Sequence, residues 1–151
     1  MNPDSNLTAL ARNNRTCMIA HTATAGVMLL LLFLQAATRG INPAVLTISC
    51  ILGIAPVAAE LLYWKKNHET AAIRHLVGNG FAVFFTFYIY TSTTFMASVF
   101  VIPMIVVISL YNNKKFSLLV NTGVVIETII LAVIGIQSGK YAYPDSDTAI
   151  I

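Results

Sequence analysis

Apolar residues in this chain do not alternate or stripe; they come in five long runs, separated by short polar gaps. The runs cover Thr16–Thr38, Pro43–Trp64, Ala71–Ser92, Phe95–Tyr111 and Phe116–Gln137. A helix needs about 20 mostly apolar residues to cross a hydrocarbon layer of ~30 Å. Four runs reach that length, and the fourth in order sits at its lower limit. The pattern predicts an all-α integral membrane bundle of five transmembrane helices, preceded by a cytoplasmic segment over 1–15. Residues 138–151 read as an external loop, with Ser146 or Asp147 as the N-cap of a sixth span whose first turn begins at Thr148.

Lysine and arginine occupy alternate gaps. Arg12, Arg15, Lys65, Lys66, Arg74, Lys114 and Lys115 flank one side, and only Arg39 and Lys140 flank the other. The positive-inside rule then places the N-terminus in the cytoplasm and the C-terminus outside, as expected of a multi-pass protein of a bacterial inner membrane. The turns Lys65–Glu69 and Asn112–Lys115 are short, which makes consecutive helices antiparallel neighbours. Arg12 and Arg15 also precede the first run as they would a signal peptide, but the run is longer than a signal core and Gln35-Ala36-Ala37-Thr38 is a poor cleavage site.

Composition supports the same class. Hydrophobic residues make up 57% of the chain and charged residues 10%, against roughly 25% charged in soluble domains. The net charge of +3 is spread over short loops beside spans, which argues against nucleic acid as a partner. Cys17 and Cys50 are expected as free thiols at different depths. His68-Glu69 has Ala72 where a zinc-binding His-Glu-x-x-His needs its second histidine, so no metal or other cofactor is expected. No nucleophile–base pair or phosphate loop is apparent, and the chain does not read as an enzyme.

Candidate chemistry is confined to a few intramembrane positions. Glu127 lies near the middle of the fifth run, where a charged side chain costs about 2.5–3.5 kcal/mol. With Asn121 nearby it reads either as a coupling carboxyl or as a hydrogen-bonding contact to a neighbour such as Ser109. Pro103 and Pro56 interrupt the backbone ladder and predict kinks. Glu60 is expected in an interfacial ion pair near Lys65 and Arg74, and His21 as a hydrogen-bonded or snorkelling imidazole. Phe84, Tyr88, Ser92 and Thr93 combine rings with hydroxyls and are the candidate ligand contacts, with core packing as the competing role.

Three stretches carry a family resemblance: Tyr90-Thr91-Ser92-Thr93-Thr94-Phe95, Val101-Ile102-Pro103-Met104 and Leu110-Tyr111-Asn112-Asn113-Lys114-Lys115-Phe116. Together with Arg12-Asn13-Asn14-Arg15 and Lys65-Lys66-Asn67 they resemble the N-terminal membrane module of certain bacterial methyl-accepting chemotaxis transducers. Similar modules precede diguanylate cyclase or histidine kinase domains. The likeness covers about Arg12 to Gln137 and implies a sensing and anchoring role, a homodimer, and a small-molecule or membrane stimulus. Such modules have six spans, of which this chain holds only the start of the last, so the output domain is expected beyond it. The alternatives are a small transporter with Glu127 as its proton-coupling carboxyl, and a structural membrane protein that scaffolds a partner.

Overall fold

The computed structural model describes residues 8–92, 95–111 and 113–139; Thr93 and the expected start of a sixth span fall outside them. The described residues form helices α1 (Ala9–Arg39), α2 (Pro43–Lys66), α3 (Ala71–Thr91), a 3₁₀ segment (Phe95–Phe100), α4 (Val101–Ser109) and α5 (Lys114–Gln137), with no strand among them. α1, α2, α3 and α5 are each long and apolar enough to cross a membrane.

Local chemistry sets the helix ends. Thr8, Asn42, Thr70 and Asn113 each accept a hydrogen bond from an amide in the first turn of α1, α2, α3 and α5, relieving donors that the helix cannot satisfy itself. Pro43 follows Asn42 at a position where its missing N–H costs nothing. Gly40, at φ 71°, closes α1 by donating its N–H to the Ala36 carbonyl, a conformation that favours glycine. Thr8 also explains why α1 starts seven residues before the apolar run: Ala9–Arg15, which ends in the polar Arg12–Arg15, is already capped and helical. Along the helices, hydroxyls of Thr24, Thr47, Ser49, Thr86 and Thr128 bond to carbonyls four residues back. In lipid there is no water to satisfy them otherwise.

The fourth run departs from the expected single kinked helix. Pro103 sits in the first turn of α4, directly after the 3₁₀ segment. Its lack of an N–H is tolerated there, so the proline marks a change of helix type rather than a bend inside one helix.

α3 touches every other helix, and α1 packs on α2, α3 and α4 along one face. Ala11, Asn14, Met18, His21, Ala25, Met28 and Leu32 are all buried, and they recur at steps of three and four. That seven-residue seam is the one used by packed antiparallel and parallel helices alike. α2, α3 and α4 pack around it, while α5 leans on α4 and on α3. Phe81, Phe84, Phe85 and Tyr88 of α3 fill the core against Met28 and Leu32, with Tyr88 edge-on to Phe100. The outer faces are as apolar as the core: Leu118 is 71% exposed and Leu119 75%. In water such surface would drive aggregation; in a bilayer it is the proper face. The protein is an all-α membrane protein.

The closest helix approach is α2 on α3. A methyl group on Gly80 would stand 2.5 Å from Pro56 Cβ, and one on Gly78 would stand 2.7 Å from Phe116 Cζ. The two differ in what can yield: a ring tip swings aside, whereas Pro56 is fixed to the α2 backbone. Gly80→Ala is therefore expected to destabilise by about 1–3 kcal/mol, Gly78→Ala by less, and Gly123→Ala, with open space around it, not at all. Thermal unfolding of the three variants in detergent checks the order.

Candidate functional site

The polar half of the α1 seam builds the site. Asn14, Cys17 and His21 are fully or almost fully buried, and each ties α1 to a different element. The Asn14 side-chain amide donates to the carbonyls of His68 and Thr70, at 2.9 and 3.1 Å, and so pins the turn between α2 and α3. The Cys17 thiol donates to the Val107 carbonyl of α4 at 3.3 Å. His21 Nδ1 lies 2.6 Å from Glu60 Oε1 of α2, one hydrogen bond shared by two titratable groups. Cys17 and Cys50 are both free thiols.

Glu60 thus departs from its expected place. It is 0% exposed and faces α1, not Lys65 or Arg74 at the headgroup level. The reason is geometric. Glu60 precedes Lys66 by six residues and His21 follows Arg15 by six, so antiparallel α1 and α2 carry both to the same depth, about 9 Å in from the charged rim at 1.5 Å per residue. Facing the seam, Glu60 finds an imidazole there instead of solvent. The sequence signal for the pairing is this equal offset from the basic rim.

The pair is enclosed by apolar groups. The His21 ring lies 5.6 Å from that of Phe81, and His21 Cε1 approaches the space above Gly80. Closer to the rim, Arg74 stands 5.1 Å over the Phe116 ring, a cation–π contact. Tyr111 is buried against Cys17 and Val107 in the same small cluster. His21 Nε2, Glu60 Oε2, Asn14 Oδ1, Arg74 Nε and Tyr111 Oη are buried with no hydrogen-bond partner among the described residues. Unsatisfied buried polar atoms are rare in native folds and concentrate where a group changes state or partner.

The residues singled out from sequence are dispersed. Phe84, Tyr88 and Ser92 are buried, and the two rings take the packing role in the core. Asn121 donates to Ser117 at 3.2 Å and to Ser109 at 3.4 Å, so Asn121 rather than Glu127 is the contact to Ser109. Glu127 is half-buried on α5 and is not brought to the His21–Glu60 pair. Pro103 belongs to the start of α4.

Removing one member of a buried pair leaves the other unpartnered, whereas removing both restores an apolar core. His21→Leu and Glu60→Leu are each expected to lower thermal stability, and the double variant to recover at least half of the summed loss. The coupling expected is about 1–3 kcal/mol; simple addition of the two losses in a detergent unfolding cycle would contradict the assigned contact. Compared with protein-family models, curated proteins and solved structures, the chain matches none.

Proposed function

We propose that the chain is the membrane-embedded sensor and anchor module of a bacterial signal transducer, resembling those of chemotaxis transducers. In this reading it is a multi-pass protein of the inner membrane, with its N-terminus and basic turns in the cytoplasm. Its partners are the bilayer, a second copy, and a small-molecule or membrane-borne stimulus. The observation that carries the proposal is the buried His21–Glu60 contact joining α1 to α2.

A buried ionisable pair contributes little stability that packed leucines would not. What it adds is a contact with two states, made or broken by a proton or by a small shift of either helix. A sensor requires such an element, because a stimulus acts only through a difference in affinity for two arrangements. The neighbouring ties of Asn14 to the α2–α3 turn and of Cys17 to α4 make α1 the helix through which a change at the pair reaches the rest of the bundle. Transport coupled to Glu127 is the weaker reading, since Glu127 lies on peripheral α5, apart from the other buried titratable groups.

The test is a chimera in which the chain continues through a sixth span into the signalling hairpin of a transducer with measurable kinase output. His21→Asn and Glu60→Gln are each expected to fix the output at one extreme while membrane insertion and expression stay normal. Output identical to that of the unsubstituted chimera in both variants would contradict the proposal.

A further inference from the structure

On the lipid-facing side of the α2–α3 contact lies an open groove of about 600 Å³. Its lining is apolar except where Tyr63 of α2, near the basic end, and His75 and Asn79 of α3, reaching its middle, contribute polar atoms. His75 and Asn79, one turn apart, are both exposed. Neither has a hydrogen-bond partner among the described residues, although the His75 ring meets Phe116 edge-on at 5.4 Å. Asn79 stands five residues inward of Arg74, about 8 Å at helical rise. A bare amide at that depth faces hydrocarbon, and a polar group there without a partner is costly.

From the polar end the groove runs along α2 from Tyr63 to Ile51, twelve residues or about 18 Å. That is the reach of one long acyl chain. The surrounding charge is positive: Lys65 and Lys66 end α2 and Arg74 lies beside His75. The acidic side chains at this end among the described residues are Glu69, in the turn, and Glu60, committed to His21. We infer that the groove is a binding site for a long-chain fatty acid, its carboxylate accepting hydrogen bonds from Tyr63, His75 and Asn79 and its chain lying along Ala55 towards Ile51.

The floor of this site is the contact between Pro56 and Gly80, and His21 Cε1 lies 3.7 Å from where a Gly80 methyl would stand. A chain seated in the groove therefore bears on the two residues that cover the His21–Glu60 pair. As a stimulus site the groove rests on the sensor reading; as a binding site it stands alone.

The test measures palmitate binding to the purified full chain in detergent, by equilibrium binding of labelled palmitate. Saturable binding of one palmitate per chain is expected. Asn79→Leu, which removes the polar anchor, and Ala55→Phe, which fills the furrow from its open side, should each weaken it about tenfold or more. Ile129→Phe, on the exposed face of α5, should leave it unchanged, and all three variants should keep their helical circular dichroism. Equal binding by Asn79→Leu, Ala55→Phe and the unsubstituted chain would overturn the site, as would full displacement of palmitate by an equal concentration of phosphatidylglycerol, which would assign the groove to membrane lipid. Palmitate that binds as expected but leaves kinase output of the chimera untouched would overturn its role as stimulus while the site stands.

Discussion

One contact, 2.6 Å between an imidazole nitrogen on α1 and a carboxylate oxygen on α2, organises what the rest of the bundle does. In a hydrocarbon solvent the hydrophobic effect does not hold helices together, because lipid tails are as apolar as leucine. Association depends on close packing and on polar groups that find one another. α1 supplies both. Its seam interlocks through Ala25, Met28 and Leu32 at one end and binds through Asn14, Cys17 and His21 at the other. The Pro56–Gly80 approach brings α3 over the pair and completes its enclosure.

This division gives the bundle two kinds of end. Away from the basic rim the interior is rings and aliphatics, Phe84, Phe85 and Tyr88 among them, with no orphaned polar atom among the described residues. Towards the rim the interior holds carboxylate, imidazole, thiol, phenol and amide, several with an atom left unpartnered. A packed apolar core is rigid and has one good arrangement. A core of polar groups with more hydrogen-bonding capacity than bonds has several arrangements of similar energy. On the proposed sensor reading, the end that faces the α2–α3 turn and the α4–α5 turn is the one that changes.

Much of this was legible from the order of residues. The apolar runs located the long helices; the caps at Asn42, Thr70 and Asn113 then fix where α2, α3 and α5 begin. The arrangement inside the bundle was harder to read because a membrane helix is apolar on every side, so hydropathy does not tell the buried face from the lipid face. The α1 seam was visible only as a period, with Asn14 and His21 falling on the same seven-residue stripe as Met28 and Leu32. Glu60 lies close to Lys65 in sequence, yet its depth matches that of His21, and depth decides its partner. Glu127 drew attention through the cost of its charge, yet cost says nothing of position, and α5 lies at the periphery. The split of the fourth run followed from Pro103, whose missing N–H permits either a kink or a fresh helix start.

The most direct measurement is nitrogen NMR of His21 in lipid bilayers. The chain has three histidines, so His68→Gln with His75→Gln leaves His21 as the sole imidazole signal. The account predicts an Nδ1 resonance typical of a short, strong hydrogen bond, displaced by Glu60→Gln. A resonance typical of an imidazole without a hydrogen bond at Nδ1, unchanged by Glu60→Gln, would contradict it.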